Sequence, residues 1–160
     1  MSLLGVDLGL KTGLAWFTPA GRLGWYRSHN YGSTARLKRG VQGLLRELSD
    51  LEVVVVEGGG PLSRIWQREA GRRGVVFREI AAETWRVRLL LPREQTSGNR
   101  AKHCAEQAAR AVIEWSNLPK PTSLRHDAAE AICIGLWGML DSGRLERLPP
   151  DWRVVKKPVI

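Results

Sequence analysis

The sequence predicts an α/β fold, and three observations carry that prediction. Short apolar runs separated by tight turns open the chain, which implies an antiparallel meander. A β-branched block, Val53-Val54-Val55-Val56, reads as a strand covered on both faces, and apolar residues at helical spacing alternate with strands from Ser33 onward. At 160 residues and 43% apolar, the chain suits one domain with a real core. That domain is expected over residues 1–145, followed by a basic tail, 146–160.

Residues 2–8 and 13–18 read as strands, and Pro19-Ala20-Gly21-Arg22 as a turn before a third strand near 23–29. The period then changes. Leu37, Val41, Leu44, Leu45 and Leu48 fall on one helical face, and Ser33 or Thr34 can cap that helix. The β-branched strand ends in Glu57, and Gly58-Gly59-Gly60-Pro61 lets the backbone turn sharply. A basic helix over 62–73 and a strand over 75–80 complete a parallel crossover. Thr84 is expected to cap a short helix running through Leu91, and the polar stretch 93–99 reads as a loop. Ala101, Cys104, Ala105, Ala108, Val112 and Trp115 mark a longer helix, ended near Asn117-Leu118-Pro119. A last helix, about 126–141, is apolar nearly all round after its first turn and should be buried against the sheet.

Composition narrows the partners. Twenty-five Lys and Arg against sixteen Asp and Glu give a formal net charge of +9, which favours a polyanion such as nucleic acid. Cys104 and Cys133 lack paired spacing and read as small buried hydrophobes. His29, His103 and His126 are too scattered for a zinc site. No signal segment or membrane-length apolar run is expected, so a cytoplasmic or nucleoid-associated protein with no membrane partner and no small-molecule substrate is the default reading.

Four acids carry the chemistry. Asp7 follows an apolar strand and Glu57 ends another, while Asp127 and Glu130 lie three apart at the start of the last helix and share a face. Each has a plain structural reading as well: Asp7 as a turn cap, Glu57 as an arginine partner, Asp127 and Glu130 as helix N-terminal charges. Convergence of all four would need a divalent cation to offset their repulsion, and oxygen ligands of this kind suit Mg²⁺, with Mn²⁺ able to substitute. Metal-assisted phosphoryl transfer is the matching reaction. His126 reads either as a metal-proximal base or as a surface residue, the surface reading being slightly favoured, and Glu83, Glu94 and Glu106 read as solvated charges. Trp66 and Trp85 stand out as candidates for base stacking or a dimer contact.

The order of elements and these motifs resemble the RuvC-like Holliday junction resolvases of the ribonuclease H-like superfamily. Leu4-Gly5-Val6-Asp7-Leu8-Gly9 with Thr12-Gly13 is similar to the family's first catalytic strand, with Leu8 where Pro is usual. Val54-Val55-Val56-Glu57 is similar to the second, and Asp127-Ala128-Ala129-Glu130 to the closing helix, with Glu130 in place of the commoner Asp. Glu83-Thr84-Trp85-Arg86 and Asn99-Arg100-Ala101-Lys102 resemble two basic DNA-contacting segments. The resemblance implies a mixed five-stranded sheet flanked by helices and a homodimer acting on branched, four-way DNA. It implies Asp7, Glu57, Asp127 and Glu130 as metal ligands and catalytic residues, with Lys102 also catalytic. The family's aromatic wedge is absent after Glu57, which leaves Leu62 as an apolar substitute. Arg64, Arg68, Arg72, Arg73, Arg86, Arg100 and Lys102 are the expected phosphate contacts.

Three other readings stay open on sequence. A YqgF-type RNA-processing nuclease also opens with an Asp-x-Gly turn, although a strand ending in Glu57 fits it less well. A junction-binding protein without activity is opposed by the four acids. An ATP-binding turn of the sugar-kinase type would need two large lobes, which 160 residues do not supply.

Overall fold

The computed structural model describes residues 1–148, so most of the expected tail, 149–160, lies outside the described residues. Three antiparallel strands come first: β1 (Ser2–Asp7), β2 (Lys11–Phe17) and β3 (Leu23–Asn30). Helix α1 (Thr34–Glu47) follows, and Ser33 is its cap, accepting the Arg36 N–H through its hydroxyl. Strand β4 (Leu51–Glu57), helix α2 (Gly60–Arg72) and strand β5 (Val76–Ile80) form the crossover. Helices α3 (Ala82–Leu89), α4 (Gly98–Trp115) and α5 (His126–Asp141) complete the described fold.

The sheet order is β3-β2-β1-β4-β5, with β1 parallel to β4 and β4 parallel to β5. Alternation along β4 divides the core. Val53 and Val55 pack with α3, α4 and α5, whereas Val54 and Val56 pack with α1 and α2. The mixed five-stranded sheet flanked by helices is therefore as expected.

Helix α5 lies directly on β1 and β2 because glycines open the way. A Cβ on Gly5 would come within 2.5 Å of the Ala131 carbonyl oxygen, and one on Gly13 within 1.9 Å of the Asp127 carbonyl oxygen. Gly13 is a strand residue paired with Asp7, within the stretch expected as the second strand. Its task is to admit the first turn of α5.

Several local expectations are corrected. Thr84 does not cap α3, which starts two residues earlier at Ala82 and ends at Leu89 instead of Leu91. The stretch 93–99 is only partly irregular: a 3₁₀ turn, Pro92–Gln95, precedes α4. Glu94 is buried and not solvated, since its carboxylate accepts the Leu91 N–H and closes that turn. Trp66 and Trp85 are both fully buried, so neither is placed to stack on bases or a partner surface. Trp66 fills the α1–α2 side of the core, and Trp85 the α5 side.

Candidate active site

Strand register builds the first half of the site. Asp7 pairs with Glu57 across the parallel β1–β4 ladder, and both stand at the C-terminal edge of the sheet. In-register neighbours on adjacent strands point to the same side, so the two carboxylates share the face covered by α5. The second half comes from α5, whose first turn Gly13 admits, and which carries Glu130 one turn into the helix. One carboxylate oxygen from each of Asp7, Glu57 and Glu130 lies within 4.8 Å of the others.

Asp127 is held slightly apart. Its Oδ2 accepts the Ser28 hydroxyl at 2.7 Å and its Oδ1 accepts the Ala128 N–H at 2.8 Å. It still contributes repulsion at Asp7. Three of the four expected acids thus form the tight group, and the fourth is fixed at its rim by β3.

The electrostatics report crowded negative charge. Burial first, and then the charges of Glu130, Glu57 and Asp127, raise the Asp7 carboxyl from its ordinary 3.8 to about 8 against the pull of Arg86. Glu57 rises from 4.5 to about 7, first through burial and then through Glu130. The Trp85 indole N–H faces Glu57 and favours its charged form, though at a geometry looser than a formed hydrogen bond. Glu57 Oε2 is buried with no hydrogen-bond partner. An orphaned carboxylate oxygen beside two other carboxylates is the environment a hard divalent cation satisfies, so the donor set fits Mg²⁺ or Mn²⁺.

Two further groups reach Glu130. Arg86 on α3 approaches its Oε1 at 3.5 Å, and His126 Nε2 lies 3.0 Å from the same oxygen. His126 is half-exposed, yet it belongs to the site and not merely to the surface. Its position four residues before Glu130 on one helical face was the available signal. Ser28 had no such signal, because only the β2–β3 register brings it to Asp127.

The remaining expected residues lie further out. Lys102 and Arg100 are exposed on the first turns of α4, and among the described residues Lys102 makes no ion pair with the acids. Arg64, Arg68, Arg72 and Arg73 are exposed around α2, with Arg72 and Arg73 paired to Glu69. Leu62 is half-buried in the first turn of α2 and packs on the α1–α2 side of the core.

Comparison with solved structures decides the fold. RuvC of T. thermophilus, solved in complex with a Holliday junction substrate, superposes with a TM-score of 0.63 over 89% of this chain and 96% of that one, at 17% identity. The fold is RuvC-like. The yeast mitochondrial Holliday junction resolvase Ydc2 matches with a TM-score of 0.52 over 90% of this chain and 81% of that one, at 13% identity. No protein-family model matches the sequence. No curated protein matches it either. In this fold the sheet places its acids at the C-terminal ends of β1 and β4, opposite the first turns of α5. Among the described residues, no helix is long and apolar enough to cross a membrane.

Proposed function

We propose that this chain is a metal-dependent endonuclease that resolves four-way DNA junctions, acting as a homodimer that makes paired symmetric nicks. The observation that carries the reading is the cage of Asp7, Glu57 and Glu130, whose carboxylate oxygens lie within 4.8 Å of one another while burial opposes the ionisation of Asp7 and Glu57. The likeness of the fold to two junction resolvases supports the choice of substrate.

Asp7, Glu57 and Glu130 would hold Mg²⁺, with Asp127 completing the negative rim. A cation bound there supplies charge neutralisation at the scissile phosphate and activation of water. Water attacks phosphorus, the P–O3′ bond breaks, and the departing 3′ oxygen takes a proton, which leaves a 5′-phosphate and a 3′-hydroxyl. Ser28 holds Asp127 in place, while His126 orients Glu130 from the same helix. Arg64, Arg68, Arg72, Arg73, Arg100 and Lys102 are exposed and positive, and they would grip phosphates along the DNA arms. Lys102, expected to be catalytic, would act on the phosphate side of the site and not among the acids. Leu62, after the triple glycine, would wedge at the junction centre.

The test is cleavage of a synthetic four-way junction by purified protein, mapped at nucleotide resolution with Mg²⁺ and with EDTA. Symmetric nicks on opposing strands, present only with Mg²⁺, are expected. Preferential cleavage of structured RNA in competition, or sedimentation as a monomer both free and on junction DNA, would contradict the proposal.

A further inference from the structure

We propose that Arg86 is a positioning residue that occupies Glu130 until a divalent cation displaces it, after which the freed guanidinium takes a phosphate of the DNA. The inference rests on the metal-dependent reading above and adds an order of events to it. Its basis is the unfinished way in which Arg86 is held.

Arg86 is fixed at its root. Its neighbour Trp85 is fully buried with its indole turned to Glu57, so α3 cannot shift freely, and the guanidinium lies 5.4 Å from the Trp85 ring centroid. Only a quarter of the side chain is exposed. Its head, however, is poorly satisfied. A charge-assisted pair closes to about 2.7–2.9 Å and an arginine commonly forks onto both carboxylate oxygens. Here one nitrogen reaches one oxygen at 3.5 Å, and that oxygen is already engaged by His126 at 3.0 Å. The Arg86 Nε is buried with no partner at all.

A loosely held, partly buried cation beside three carboxylates is a stand-in for a stronger one. The guanidinium already lowers the acids' affinity for protons at Asp7 and Glu57, the same neutralisation that a divalent ion performs more fully. Arriving positive charge then repels it. Arginine has no proton to give up at accessible pH, so it cannot become neutral in place and must move. With its stem still packed, the head stays near the acids, where the fork geometry fits a phosphodiester. Cation binding and DNA binding are thereby coupled through one side chain.

The experiment is a Mn²⁺ titration of the DNA-free protein by calorimetry, for wild type, Arg86→Gln and Arg86→Lys, combined with junction affinity measured in Ca²⁺ and in EDTA. Arg86→Gln should bind Mn²⁺ at least about fivefold tighter than wild type, because the competitor is gone. Its loss of junction affinity should be at least about fivefold greater in Ca²⁺ than in EDTA, since the guanidinium reaches phosphate only after displacement. Arg86→Lys, which keeps the charge, should return Mn²⁺ affinity towards wild type. Arg86→Met, which keeps the apolar stem, serves if the Gln variant does not fold. Unchanged or weaker Mn²⁺ binding in the neutral variant overturns the proposal, as does an equal loss of junction affinity in both buffers. A Lys variant that behaves like Gln also overturns it, because lost packing would then be the cause. Wild-type protein that binds no Mn²⁺ would instead remove the metal site itself, a separate failure.

Discussion

Asp7 stands partly buried among crowded carboxylates, and the consequences are measurable without substrate. Below about pH 4 the carboxyl is protonated in both the folded and the unfolded chain and adds no difference between them. From there to about pH 8 the folded state holds the proton that the unfolded state releases, so without metal each step up in pH lowers stability. Glu57 does the same between its ordinary 4.5 and about 7. Asp7→Asn, which removes the titration, should therefore raise the metal-free thermal midpoint at pH 8 by a few degrees and have little effect at pH 4. Mg²⁺ competes with those protons, so nicking should rise from pH 6 to pH 8 as the acids ionise. Ser28 offers a second test. Its hydroxyl fixes Asp127 from the partly exposed end of β3, and Ser28→Ala should cut the nicking rate by about 10- to 100-fold with little loss of stability. Denaturant melts beside single-turnover rates would separate the two effects. At this scale the sequence was informative for Asp7, Glu57 and Glu130, because strand ends and helical spacing are local properties. Ser28 was hidden because its partner is 99 residues away.

At the scale of elements, the seat of α5 on β1 and β2 makes the site possible, and Gly13 is its critical point. A methyl group there would overlap the Asp127 carbonyl, so Gly13→Ala must push back the helix turn that carries Asp127 and Glu130. The expected cost is about 1–3 kcal/mol in denaturant melts, with a larger proportional loss of nicking. Gly43 is the control. It lies inside α1 with nothing within 4 Å of an added Cβ, and Gly43→Ala should stabilise the fold by roughly 0.4–1 kcal/mol. Equal effects of the two substitutions would show that backbone freedom, and not helix seating, governs Gly13. Most elements were readable from period alone, since each strand and helix hides one face or stripe. The failures share a cause. Trp66 and Trp85 looked like surface aromatics in basic segments, but the spacings Trp66–Ala70 and Trp85–Leu89 place both on buried helical stripes. Thr84 is a strong capping type that lost to the strand exit after Ile80, which starts α3 earlier.

For the whole molecule, the chain divides its charge by location. Its formal net charge is +9, yet its most crowded buried groups are acids, and the exposed arginines of α2 and the cations of α4 lie outside that cage. Under the proposed function, that division would draw a polyanion to the surface while the acid cage holds a small cation. The topology that does this was legible as a meander plus a crossover, but its order was not. Only the folded sheet shows that β1 is central and flanked by β2 and β4, which is why the first and the fourth strands supply neighbouring acids. The central claim is that Asp7, Glu57 and Glu130 serve chemistry and not folding. The most direct measurement is junction nicking with Mg²⁺ by Asp7→Asn, Glu57→Gln and Glu130→Gln, each beside its junction affinity and thermal midpoint. The account predicts nicking lost by on the order of 10³-fold or more in all three, with folding and binding retained. Nicking that survives these substitutions in well-folded protein would contradict it.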